Sequence, residues 1–183
     1  MALHDWNALL MTAPTRLFTG RLVRCIPLLT FQKGTPPSYL FTSGAINRCN
    51  PSGIKTLYAG EDRETALAEY DSYYDKPEPQ LIYSADFTAG AILDLGDPAT
   101  CGHFKLGVDD FYKSFRLMPD TTPLQRIGEA VSAQMRITAI RFPSNARHRR
   151  GEAGFNFAVF PGAIQPPDTL SILGDTSPLE SWP

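Results

Sequence analysis

Apolar and polar residues alternate along RLFTGRLVRCIP, with Leu22 and Arg24 on one face and Val23 and Cys25 on the other, the period-two pattern of a strand. The pattern returns in QLIYSADF, where Leu81, Tyr83, Ala85 and Phe87 share a side, and TLYA, AILDL, ITAIRFP, FNFAVF and LSIL predict further strands. Helical spacing follows TLYA. Asp62 stands where an N-cap belongs, acidic residues fill the first turn, and Ala66, Leu67, Tyr70, Tyr73 and Tyr74 form an apolar stripe. Residues 106–118 and 122–136 predict two more helices, the second opened by Pro123, and Met1 to Met11 predict a short helix or amphipathic arm. The breakers in residues 32–47 predict a loop, RCNPSG predicts a turn, and SPLESWP is read as an irregular tail.

Strands and helices interleave without regular βαβ spacing or a glycine-rich phosphate fingerprint, which argues against a Rossmann domain. The expected fold class is α+β: a single domain with a mixed or split β-sheet flanked by helices. The expected division is an arm over residues 1–15, a domain over 16–175 and a tail over 176–183.

Composition narrows the function only by exclusion. The 183 residues carry a net charge of −2, so nucleic acid is an unlikely partner unless a local patch binds it. Cys25, Cys49 and Cys101 are widely spaced and lack metal-ligand spacing, which fits reduced thiols in a cytoplasmic protein. No apolar run is long enough to span a bilayer, and the first residues lack the pattern of a signal peptide. Cys101 and His103 make a lone pair without the four ligands of a zinc site, so no metal is expected. Serine-hydrolase, Walker and zinc-protease motifs are absent.

Four polar residues recur at junctions between apolar elements: Arg48 before the turn, Tyr58 in TLYA, Glu69 at the edge of the helical stripe, and Ser144 after Pro143. Each also fits a structural role: a turn-bracing arginine, a core tyrosine, a carboxylate paired with an arginine, the start of a turn. Glu69 is the sharpest of the four, because a carboxylate on the margin of an apolar face needs water or a partner. The basic NARHRRG segment fits a solvated loop or a phosphate contact.

The order of these residues resembles the RES-domain family, the Arg-Glu-Ser toxins of bacterial toxin–antitoxin systems. RLVRCIP, INRCNPSG, TLYAG, ETALAEY, RFPSNA and FNFAVFP carry the likeness across Arg21 to Pro161, most specifically from Arg48 to Tyr70. Cys49 stands where the family has an aromatic residue, and Ala45-Ile46-Asn47 replaces its glycine pair. The resemblance implies an ADP-ribosyltransferase-like, NAD-binding fold, with NAD as substrate rather than cofactor and a cognate antitoxin as partner. The implied activity is cleavage of the nicotinamide–ribose bond by hydrolysis or phosphorolysis. ADP-ribosylation of a protein is the alternative, and a non-catalytic nucleotide-binding or interaction module is a second. The resemblance makes Arg48, Tyr58, Glu69 and Ser144 catalytic candidates. Arg24 (or Arg21), Arg48, Asn50 and Asn156 become substrate-binding candidates. Guanidinium groups suit a pyrophosphate, and a carboxylate suits the cationic sugar of the transition state.

Overall fold

The structure, a computed structural model, describes residues 6–29, 42–73, 79–118, 121–173 and 178–182. Its β-strands are β1 (Arg16–Pro27), β2 (Thr42–Ser43), β3 (Thr56–Gly60), β4 (Gln80–Asp94), β5 (Ala139–Pro143), β6 (Phe155–Val159), β7 (Thr169–Leu173) and β8 (Pro178–Trp182). The helices are α1 (Trp6–Thr12), α2 (Arg63–Tyr73), α3 (Pro98–Phe104), α4 (Val108–Tyr112), α5 (Pro123–Gln134) and α6 (Asn145–Arg149). The chain is thus a single α+β domain with one mixed sheet.

The sheet runs β1-β3-β6-β5-β4-β7-β8, and β1 also pairs with β4, so its first five strands close into a ring. Among the described residues only β4 and β5 pair in parallel, and the other pairings are antiparallel. β4 closes the ring because it is bonded on both edges. One edge follows β1 from Gln80 to Ile92, while the other takes β7 at Ala85–Thr88 and β5 at Ile92–Asp94.

Alternation sorts the side chains between two cores. Leu22, Leu57, Ala85, Phe87, Ala139, Phe157 and Val159 come from every strand of the ring and fill its interior. Their neighbours Ile140, Phe142, Ala158 and Phe160 point outward and pack with Leu10, Phe104, Leu124, Ile127 and Val131 of the covering helices. A strand buried on both faces in this way reads as a near-continuous apolar run, as ITAIRFP and FNFAVF do apart from Arg141 and Asn156.

α5 begins with a capping box, Thr122 and Gln125 exchanging bonds, with Pro123 in its first turn. Gln125 also donates Nε2 to the Asn47 carbonyl at 2.8 Å, tying the helix to the turn that bears Arg48. Gly128 allows the closest approach. A Cβ there would lie 1.7 Å from the Cys49 carbonyl oxygen, so only glycine lets α5 lie against the Arg48–Cys49 backbone.

Several sequence expectations need correction. QLIYSADF and AILDL are one strand, continuous through Gly90, whose N–H turns to the Asp168 carboxylate at 2.8 Å. The helix expected over 106–118 is α4 followed by a separate 3-10 turn at Phe115–Leu117, and α3 was not anticipated. The tail expected to be irregular pairs with β7 as β8, and Thr42–Ser43 of the expected loop pairs with β3. Tyr73 is 65% exposed, outside the buried stripe of α2, and Tyr74 lies outside the described residues. At the N-terminus the short-helix alternative holds: α1 packs on the domain, with Leu10 fully buried and Arg136 donating to the Met11 carbonyl at 2.7 Å.

Candidate functional site

The turn from β3 into α2 is tight. Asp62 accepts the Thr65 N–H at 2.6 Å, and a Cβ on Gly60 would lie 2.7 Å from the Ala66 nitrogen. Held there, α2 packs against β1, β3 and α6 and buries Thr65, Ala66, Ala68 and Tyr70. Glu69 stands half-buried between Ala68 and Tyr70.

Its carboxylate is gripped on one side. Oε1 accepts from Ser144 Oγ at 2.6 Å and from Asn156 Nδ2 at 2.7 Å. Both donors are almost wholly buried, Ser144 at 1% and Asn156 at 8% exposure. Ser144 is the N-cap of α6, and its Oγ accepts the Arg147 N–H at 3.1 Å. With its lone pairs facing that N–H, the one hydroxyl hydrogen is aimed at Glu69. Ser144 N–H donates to the Gly154 carbonyl at 2.9 Å, and a Cβ on Gly154 would crowd Thr65 and Arg147. Among the described residues nothing bonds to Glu69 Oε2, which leaves acceptor capacity in a half-open position.

Tyr58 and Asn50 form a second, closed knot. The Tyr58 hydroxyl donates to Asn50 Oδ1 at 2.6 Å and accepts the Cys49 N–H at 3.0 Å. Asn50, fully buried, spends its Nδ2 on the carbonyls of Ala45 (2.9 Å), Pro51 (2.9 Å) and Ile54 (3.3 Å). Burial pushes the Tyr58 phenol well above its ordinary pKa and the Cys49 thiol up to about 12. Both polar groups expected to meet a substrate therefore have internal partners here, and they pin the turn that carries Arg48.

Arg48 Nη1 donates to the Lys113 carbonyl at 3.1 Å, and its guanidinium lies 5.5 Å over the Phe115 ring. It borders a cavity of about 100 Å³ with Lys113, Phe115, Met118 and Thr122. Burial is the largest influence on the guanidinium and lowers its pKa; Glu69 is among the groups opposing that shift, so the two charges share a field. Arg24 donates to the Tyr58 carbonyl, bracing β1 against β3, while Arg21 pairs with Asp86 at the surface. Of the two arginines, Arg24 is the one beside Tyr58.

The structure thus joins Glu69, Ser144 and Asn156 directly and sets Arg48 within electrostatic reach. It holds Tyr58, Asn50 and Arg24 in the supporting wall. The basic segment is the short helix α6 and its C-cap: Arg147 of the helix pairs with Glu152, and the capping Arg150 pairs with Asp71. His148 stacks on Tyr112 with ring centroids 3.8 Å apart. Cys101 and His103 have separate backbone partners, at Leu95 and Leu9, and no group of three metal-ligating side chains occurs among the described residues. No described helix is long and apolar enough to cross a membrane. Sequence reading missed Arg116, which donates to the Tyr73 hydroxyl at 2.6 Å, and Arg141, whose only signal was a charge within an apolar strand.

A family model described as RES domain matches residues 21–180. The chain belongs to the RES-domain family. Among solved structures, this RES domain is similar to a chain of the M. tuberculosis MbcT–MbcA toxin–antitoxin complex, with a TM-score of 0.67 and 16% identity over 90% of this chain and 87% of that one. At that identity the likeness is one of fold. No curated protein sequence matches the chain.

Proposed function

We propose that this RES domain is a toxin that cleaves the nicotinamide–ribose bond of cytoplasmic NAD on an ADP-ribosyltransferase-like fold. The observation carrying this reading is the Glu69 carboxylate, with one oxygen held by Ser144 and Asn156 and the other without a protein partner among the described residues. As the glycosidic bond breaks, positive charge develops on the sugar's C1′ and ring oxygen. A fixed carboxylate stabilises that charge without having to reorganise. Nicotinamide departs as a neutral molecule carrying the bonding electron pair, so no paired general acid is required. Water then adds to C1′ and releases a proton, giving ADP-ribose; phosphate in its place gives ADP-ribose phosphorylated at that same carbon. Arg48, which keeps donors beyond its one bond to Lys113, suits the pyrophosphate. Tyr58 and Asn50 shape the wall that carries it, and Arg24 fixes that wall to β1.

By analogy with the MbcT–MbcA complex, the protein partner is an antitoxin. Incubation with NAD labelled in the adenosine half, with and without phosphate, tests the activity. Free labelled ADP-ribose or its phosphate, with nicotinamide released in equal amount, supports depletion of NAD. Label retained on a protein band supports ADP-ribosyl transfer. Purified protein that binds NAD yet releases no nicotinamide would overturn both.

A further inference from the structure

An arginine inside an apolar strand must be neutralised, and Arg141 is neutralised by groups from several elements. Its Nε and Nη2 grip Glu61 at 3.1 and 2.7 Å, Nη1 donates to Asp94 at 2.9 Å, and its guanidinium stacks 3.5 Å from the centre of the Phe155 ring. The side chain is only 13% exposed. Gly96 covers it closely: a Cβ there would come within 2.6 Å of the Phe155 ring and 2.7 Å of Arg141 Nη1. Asp94 takes a further cation, Arg16, at 2.8 Å.

Arg141 and two of its partners, Glu61 and Phe155, stand at three roots. Glu61 directly precedes Asp62, the cap of α2, which delivers Glu69. Arg141 itself lies on β5, which ends at Pro143 just before Ser144. Phe155 directly precedes Asn156 on β6. The backbone repeats the tie, since Glu61 N–H donates to the Phe155 carbonyl at 2.9 Å.

We propose that Arg141 is the positioning residue of the site: one guanidinium locks the roots of α2, β5 and β6 and thereby sets where Glu69 meets Ser144 and Asn156. Glu69 lies about 9 Å along α2 from its first residue. A tilt of about 6° at the root therefore moves the carboxylate about 1 Å, enough to cost about a hundredfold in rate. A fork holding both Glu61 oxygens resists that tilt, and an ammonium, which presents a single point charge, does not. The part of this inference that concerns rate rests on Glu69 being the catalytic carboxylate.

The test compares Arg141→Lys, Glu61→Gln and Arg16→Met in the full chain. Arg16 shares Asp94 yet touches none of the three roots, so its loss reports stability without positioning. NAD turnover, thermal unfolding and the side-chain amide resonance of Asn156 are read in parallel. Arg141→Lys and Glu61→Gln are expected to lower kcat by about thirty- to a hundredfold, with KM within about threefold. They should also shift the Asn156 resonance, as the bond to Glu69 lengthens. Arg16→Met should keep kcat within about twofold and leave the resonance in place. Folded Arg141→Lys with wild-type kcat and an unmoved resonance overturns the proposal, and so does an Arg16→Met loss equal to that of the other two. If the wild type releases no nicotinamide, the NAD reading fails on its own, and the resonance alone decides the positioning claim.

Discussion

Two hydrogen-bonded clusters lie on neighbouring elements, and both are centred on residues that the RES-like pattern picks out. In the Tyr58–Asn50–Cys49 knot the Cys49 N–H, the Tyr58 hydroxyl and the Asn50 amide each donate to a protein acceptor. In the Glu69–Ser144–Asn156 cluster two buried donors converge on a single oxygen of a half-buried carboxylate. The first arrangement spends these polar atoms on internal partners, and the second leaves Glu69 Oε2 without a protein partner among the described residues. Residues of one motif therefore divide into a closed cluster and an open one, and it is the satisfaction of their polar atoms that divides them.

The sharpest way to break this comparison is at its open end. Glu69→Gln is expected to fold as the wild type does and to lose about a hundred- to a thousandfold in nicotinamide release. Undiminished release by the folded variant would return Glu69 to the framework. Asn50→Ala should act in the opposite sense: removing a buried amide that serves three carbonyls and a phenol should cost about 3 kcal/mol of stability in urea titrations. Tyr58→Phe should cost less, about 1–2 kcal/mol, because only the hydroxyl's two partners are stranded. Its turnover per folded molecule should stay within about threefold of wild type; a loss matching that of Glu69→Gln would merge the two clusters into one site.

The same knot predicts how stability changes with pH. The Tyr58 phenol is raised in the folded chain, so the unfolded chain releases its proton first as pH climbs. Its contribution is complete below the ordinary phenol range and is lost as pH rises above about 10. Cys49, shifted from 9.0 to about 12, acts with the same sign. Alkaline titration of Tyr58→Phe should therefore show a shallower decline than wild type, with the cysteine component still present. The smallest expected effect concerns Arg48, where alanine should weaken NAD affinity more than lysine does, by about threefold. Equal affinities by calorimetry would argue against paired recognition by the guanidinium.

How much of this was legible in the sequence depends on how local each signal is. The Asp62 cap and the inward face of Leu81, Tyr83, Ala85 and Phe87 follow from short-range rules, and the structure has both. The order Arg48, Tyr58, Glu69, Ser144 was legible only as a pattern, because no local rule brings α2 to the end of β5. The tail was misread since SPLESWP, with two prolines and little alternation, becomes a strand only through β7. QLIYSADF and AILDL read as two strands, yet β1 pairs with β4 on both sides of Gly90 and makes them one. Arg141 was passed over because its meaning depends on Glu61, 80 residues earlier.

The ring has a consequence for biosynthesis. Glu69 finds its donors 75 and 87 residues downstream, and β3 has no β6 to pair with until that late segment exists. A ribosome that halts before Phe155 releases a polypeptide with its carboxylate made and its pocket unbuilt. For a protein whose proposed action harms its own cell, such a product lacks the proposed site before any partner is needed to restrain it.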